Sequence, residues 1–154
     1  ISPGCQVRAI TRLYTEADKA FFFDVSYDYV VDAIDLVSCK LSLIEYAHRL
    51  GIPIISALGT GNKLDPTAFR IADIGETSVC PLARVVRREL KVRGILHHKV
   101  LFSTEPPLAP APLAVPPPGR RSIPASVSWV PSCTGLQLAG SVILDLIQTP
   151  PTDR

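Results

Sequence analysis

The chain has 154 residues, 47% of them hydrophobic and 19% charged, with a formal net charge of +2. That is the composition of a soluble globular protein with one real core, and the net charge is too small to argue for a polyanion partner unless charges cluster locally. No run approaches the roughly 20 apolar residues of a membrane-spanning helix and no signal-peptide pattern opens the chain, so no membrane partner is expected; the scattered cysteines are read as those of a reducing compartment, the cytoplasm.

Residues 5–10, Cys-Gln-Val-Arg-Ala-Ile, alternate as a half-buried strand would. Thr15-Glu-Ala-Asp18 has the pattern of a helix start with Thr15 as N-cap, and a short helix is expected through Phe23. Residues 27–40 are the stretch around which the rest of the chain is organised. There an apolar, β-branched run with Asp32 embedded in it ends in Asp35 and feeds a helix, as a buried parallel strand does when it brings a carboxylate to the C-terminal edge of an α/β sheet. Ligands of open α/β sheets bind at that edge. Asp32 and Asp35, with Lys40 in the first turns of the helix, could hold a metal-bound phosphate and its counter-charge. The alternative is that Asp35 only caps the helix.

The helix is expected from Leu36 to Leu50, with Val37, Leu41, Ile44 and Ala47 at helical spacing and Gly51 as its stop. Pro53 to Leu58 reads as a second buried strand, giving a right-handed strand–helix–strand unit. Gly59 and Gly61 come next in a turn-rich loop; they would let a ligand approach the backbone closely, or simply make a turn. Ala68 to Ile74 is a further strand, and Thr77 to Pro81 leads into a helix that runs to Arg93.

On that helix Leu82, Val86 and Leu90 form an apolar face, while Arg84, Arg87, Arg88 and Lys91 recur at i, i+3, i+4 and i+7. The basic stripe is either a solvated face or a surface for several phosphates. His97 and His98 read as solvated turn residues ahead of a strand at Lys99 to Ser103. Pro106 to Pro124 is too rich in proline for regular structure. A last helix is expected over about Ser132 to Ile147, with Ser132 as N-cap and a small-residue face of Gly135, Ala139 and Gly140 that packs within the subunit or against another backbone. Cys5, Cys39, Cys80 and Cys133 are widely spread, which supports neither a zinc site nor a disulfide framework. The layout is then residues 1–105 as one α/β unit, 106–125 as a proline-rich loop and 126–154 as a helix packing on the same unit.

The order of these motifs resembles the ThiF/HesA/MoeB superfamily of ATP-dependent adenylating enzymes, related to the ubiquitin-activating enzymes. The pieces that carry the likeness are residues 27–35 with Lys40, residues 51–61, Leu64-Asp-Pro-Thr67 and Arg70-Ile-Ala-Asp73. Thr77-Ser-Val-Cys-Pro-Leu-Ala-Arg84, Phe102-Ser-Thr-Glu105 and Ser128-Trp-Val-Pro-Ser132 complete it, and two of these, at residues 77–84 and 102–105, are similar to the tRNA threonylcarbamoyladenosine dehydratase branch. The resemblance implies a Rossmann-like adenylating domain, represented here by its C-terminal part, with parallel strands, crossover helices, additional strands and a C-terminal helix. It implies ATP and magnesium as cofactors, with Asp35 helping to hold the nucleotide and its metal and Lys40 at a basic position after it. It also implies a tRNA substrate whose threonylcarbamoyl carboxylate is adenylated and cyclised with loss of water, a homodimer and a possible sulfur-transfer partner. On this reading Arg84, Arg87, Arg88 and Lys91 are the candidates for tRNA contact.

The family's Gly-x-Gly-Gly-x-Gly phosphate loop would lie upstream of Ile1, so the sequence is expected to keep one wall of the nucleotide site and to be inactive by itself. Cys80, just before a helix, has either a thiol role or that of a small, partly buried residue, and the dehydratase reaction needs no enzyme thiol. Two other activities stay open. One is adenylation of a small ubiquitin-like sulfur-carrier protein, and the other is a non-catalytic remnant or scaffold.

Overall fold

Three short, largely apolar runs make the parallel centre of the sheet: β1 (Val30–Asp32), β2 (Ile54–Ala57) and β4 (Lys99–Ser103). In the computed structural model, which describes residues 2–109 and 125–148, they lie in the order β1-β2-β4, and β3 (Phe69–Asp73) adds antiparallel to β4 at the far edge. The register pairs Asp32 with Ser56 and Ala57 with Leu101. Parallel strands cannot be joined by tight turns, and the crossovers here are α2 (Val37–Leu50) and α3 (Pro81–Val92). Gly51, at φ 68°, closes α2 in the left-handed conformation that a Cβ would strain.

The strand period of two decides which side chains meet which helices. Ile54, Val100 and Phe102 point to one face and pack with Leu41, Ile44 and Ala47 of α2 and Ala83, Val86 and Leu90 of α3. Ile55 and Leu101 point to the other, where Phe69, Val130 and Leu138 complete a second cluster. The last two belong to α4 (Trp129–Gln148), which runs from Trp129, whose Nε1–H donates to the Leu64 carbonyl, to Asp145 at the opposite end of the strands. Asp145 accepts from the Tyr29 hydroxyl and from Lys99 Nζ, both at 2.6 Å. Burial pushes its carboxyl up, but the Lys99 ammonium and the Tyr29 hydroxyl outweigh that and hold it below the usual carboxylate range.

Several elements differ from what the sequence implies. Residues 5–10 form no strand and are mostly exposed. Alternation alone does not make a strand without a neighbour to bond, and among the described residues they have none. The helix expected from Thr15 is a 3-10 turn at Glu16–Asp18 followed by α1 (Lys19–Phe22), and Thr15 Oγ1 donates to the Asp18 carboxylate at 2.6 Å instead of capping the backbone. The last helix starts at Trp129, so Ser132 lies inside it and donates to the Ser128 carbonyl. Gly135, Ala139 and Gly140 are exposed, so no described residue packs on that small-residue face. At 20 residues with mean hydropathy 1.4 and one charged residue, α4 also reaches the length and composition of a membrane-crossing helix, contrary to the sequence reading; in this fold its Val130, Thr134, Leu138 and Ser141 face lies on the protein. Within the proline-rich stretch expected from 106 to 125, residues 110–124 lie outside the described residues.

Two departures concern charge. Asp32 and Lys40, read as possible ligand groups, are both fully buried, and Lys40 Nζ donates to Asp32 Oδ2 at 2.6 Å and to the Ala57 carbonyl at 2.9 Å. His98, read as a solvated turn residue, is 3% exposed. It shares the parity of Val100 and Phe102 and so points into the core. Its Nε2 is 2.8 Å from Ser56 Oγ and its Nδ1 is 3.2 Å from His48 Nε2.

Removing one partner of a buried pair strands the other as an unpaired buried charge. Lys40→Met is therefore expected to destabilise the chain by roughly 3–5 kcal/mol in urea unfolding. A loss below about 1 kcal/mol would mean that Asp32 is solvated or neutral. His98 gives a pH test. Burial first, then the charges of His48 and Lys40, push its pKa down to about 4. Between the ordinary value near 6.5 and that value, the unfolded chain binds a proton that the folded chain does not. The stability is thus complete above pH 6.5 and is lost as the pH falls toward 4, by about 3 kcal/mol at most. The His98→Gln variant is expected to lose less between pH 7 and pH 4.5; equal losses would contradict a neutral buried imidazole.

Candidate functional site

At the end of β1 the chain turns sharply because Asp32 holds both sides of the turn. Oδ2 takes the Lys40 ammonium, and Oδ1 accepts the Ile34 N–H at 2.9 Å. The turn leaves Asp35 exposed just ahead of α2. Leu36 is the N-cap residue of that helix and no side chain caps it, so the capping alternative for Asp35 does not apply. Among the described residues no hydrogen bond or ion pair engages the Asp35 carboxylate. Two carboxylates three positions apart therefore have different environments: Asp32 is a buried structural anion, and Asp35 a solvent-facing one at the C-terminal edge of the parallel strands.

Gly59 and Gly61 leave β2 at the same edge, both partly exposed. A Cβ at Gly59 would meet Cys80 Sγ at 3.9 Å and Leu82 Cβ at 4.0 Å, ordinary van der Waals distances, so packing alone does not require glycine there. Next in the loop, Asn62 adopts φ 58° and gathers the chain around itself. Its N–H donates to the Ala125 carbonyl, its carbonyl accepts from Leu108, and its Oδ1 accepts from Ala125 N. Glu105, just past β4, accepts the Leu64 and Asp65 N–H groups at 3.1 Å and ties this loop to the next strand end. Asn62, Lys63 and Glu105 were not singled out as site residues from the sequence; the Asn-Lys pair directly after the Gly-x-Gly was the available signal.

Cys80 sits beside Gly59 at the start of α3. It is 4% exposed, and its Sγ accepts the Ala83 N–H at 3.5 Å, which makes it the N-cap. The preceding Val79 has φ 61°, a conformation that strains a β-branched residue by roughly 1–3 kcal/mol and that turns Cys80 inward. The basic stripe of α3 divides into different environments. Arg87 donates to the Thr77 carbonyl at 2.7 Å and to Thr77 Oγ1 at 2.6 Å, so it clamps the turn before the helix. Arg88 pairs with Glu89 at 3.0 Å while staying 73% exposed. Arg84 and Lys91 are exposed and make no such bond among the described residues.

The other end of the strands carries a cavity of about 650 Å³, lined in part by His48, Asp73, His97, His98 and Lys99. Among the described residues no group of three or more His, Cys, Asp or Glu is placed to hold a metal ion. The solvent-facing carboxylate and the glycine loop are thus at one edge, and the imidazoles are at the other.

Comparison with known proteins finds tRNA threonylcarbamoyladenosine dehydratases among the relatives. No family model matches the chain. The tRNA threonylcarbamoyladenosine dehydratase of Bacillus subtilis is 38% identical over 162 aligned positions, covering 96% of this chain and 62% of that protein. The dehydratase of Escherichia coli is 36% identical, covering 68% of this chain and 42% of that protein. Among solved structures, one described as TcdA (CsdL) superposes with a TM-score of 0.80 at 28% identity, over 95% of this chain and 59% of that one. The E. coli dehydratase TcdA in complex with ATP matches with a TM-score of 0.67 at 28% identity, over 91% of this chain and 60% of that one. The chain therefore spans less than two thirds of the length of these relatives. Within that span the chain shares their α/β architecture, and its homologues are these tRNA threonylcarbamoyladenosine dehydratases.

Proposed function

We propose that the chain is part of an ATP-dependent enzyme that activates the carboxylate of threonylcarbamoyladenosine in tRNA as its adenylate and cyclises it with loss of water. The observation that carries this reading is the unengaged Asp35 carboxylate at the C-terminal edge of the sheet, beside the Gly59–Gly61 loop. Support comes from the likeness to E. coli dehydratase structures in complex with ATP and with AMP. A hard carboxylate oxygen exposed to solvent fits Mg²⁺, which prefers one or two carboxylates together with phosphate and water oxygens. Asp32 and Lys40 do not fit as direct ligands, since each satisfies the other inside the protein. Their part is to position: Asp32 shapes the turn that presents Asp35, and Lys40 ties that turn to the end of β2.

A carboxylate is a poor acyl donor, and magnesium-bound ATP supplies the leaving group that makes it a good one. The protein's share is placement and charge neutralisation. The exposed members of the basic stripe, Arg84, Arg88 and Lys91, are the groups we assign to tRNA phosphates; Arg87 has a structural role. A homodimer belongs to the same reading and is supported by the exposed Leu136, Ile143 and Ile147 on α4, which a second copy would cover.

Asp35→Asn is expected to weaken binding of magnesium–ATP about 10- to 100-fold in a titration, the equivalent of one charge-assisted bond, with the melting temperature unchanged. Unchanged ATP binding would remove Asp35 from the site. Replacing Arg84, Arg88 and Lys91 together by alanine is expected to lower the slope of log affinity for tRNA against log salt by about 2–3. Arg87→Ala, in contrast, is expected to lower the melting temperature. A slope unchanged in the triple variant would mean that the stripe is a solvated face and would favour the sulfur-carrier alternative, in which the activated carboxylate belongs to a small protein.

A further inference from the structure

Lys63 is 3% exposed, yet it has no carboxylate partner among the described residues. Its Nζ donates to the backbone carbonyl of Glu105, and among the described residues it makes no other bond. The two acids of the loop network are committed elsewhere, Glu105 to the Leu64 and Asp65 N–H groups and Asp65 to Thr67. Residues 110–124 contain no Asp or Glu that could serve instead. A desolvated ammonium held by one neutral carbonyl is costly, and buried charges in proteins are ordinarily paired. Lys63 also lines a cavity of about 170 Å³, bounded by Asn62, Leu64, Leu108 and residues 125–127. The Asn62 bonds to Leu108 and Ala125 hold its wall in place.

We infer that this cavity is an oxyanion subsite, with Lys63 as its cation, and that its occupant is the carboxylate of the substrate to be activated. The assignment rests on the function proposed above. Topology separates this cation from the Asp35 carboxylate. Asp35 leaves β1, whereas Lys63 leaves β2 and bonds beyond it to Glu105 at the end of β4. In the strand order β1-β2-β4 the two groups therefore belong to different strand ends of the same edge. With the metal-bound phosphate assigned to Asp35, the free carboxylate is the second anion that the proposed reaction has to hold, and Lys63 is the buried cation placed to hold it. Lys63 is a positioning and specificity group that selects an acid over its neutral analogue.

The test is NMR titration of the ¹⁵N-labelled chain with the nucleoside threonylcarbamoyladenosine, its methyl ester and magnesium–ATP. The acid is expected to shift the amides of Asn62, Leu64 and Val127 and to bind at least tenfold tighter than the ester. Lys63→Met should abolish that preference, Lys63→Arg should keep it, and neither should change ATP binding more than twofold. An acid and an ester that bind the native chain equally while ATP still binds would overturn the subsite and leave the proposed function standing. Loss of ATP binding in Lys63→Met, with the fold intact by circular dichroism, would assign the oxyanion to phosphate and overturn the carboxylate. A native chain that binds ATP and does not bind the acid would overturn the subsite alone.

Discussion

One buried ion pair sets where Asp35 stands at the C-terminal edge of the sheet. Lys40 joins α2 to two strands at once, through the Asp32 carboxylate on β1 and the Ala57 carbonyl on β2. Asp32 uses its remaining oxygen on the Ile34 N–H and so sets the turn ahead of α2. In a three-residue strand with few ladder bonds, that polar anchor fixes geometry that backbone pairing alone would leave loose. Burial of two charges is not in itself a source of stability, and an apolar pair of the same size would hold the layers together as well. Such a pair would not hold the Ile34 N–H, however, and Asp35 would lose its defined place.

The consequence is a division of labour among groups that look alike in the sequence. Asp32 and Asp35 are both acidic, but one is consumed by the fold and the other faces solvent with no partner among the described residues. Arg87 and Arg84 are both on the basic stripe, but Arg87 clamps the Thr77 turn while Arg84 faces solvent. Lys40 and Lys63 are both buried lysines, but only Lys40 has its carboxylate among the described residues. The unmet electrostatic demand of the molecule therefore gathers at the C-terminal edge, as expected of a doubly covered α/β sheet. The opposite edge meets its own demand internally through His48, His98 and Ser56.

The apolar periodicity made α2, α3 and the central strands legible, because Val37, Leu41, Ile44 and Ala47, like Leu82, Val86 and Leu90, bury the same face throughout. The family likeness was legible from motif order alone. What local pattern could not show was pairing across the chain. The Asp32–Lys40 bond depends on α2 packing back on β1, and the burial of His98 depends on strand parity that begins one residue before β4 is assigned. Residues 5–10 have the pattern of a strand but, among the described residues, no edge to join. Lys63 was overlooked because a lysine in a glycine- and asparagine-containing loop is ordinarily a solvated residue, and only its bond to Glu105 and the Asn62 clamp place it inside.

The measurement that bears most directly on the role of Asp35 is paramagnetic broadening of the ¹⁵N-labelled chain by manganese–ATP. With Asp35 as the metal-facing group, the amides of Ile34, Asp35 and Leu36 should broaden first and those around Gly59 next, while His48, His97 and His98 at the other edge stay sharp. Broadening centred on the imidazole edge, or none at concentrations where nucleotide is shown to bind, would contradict that role.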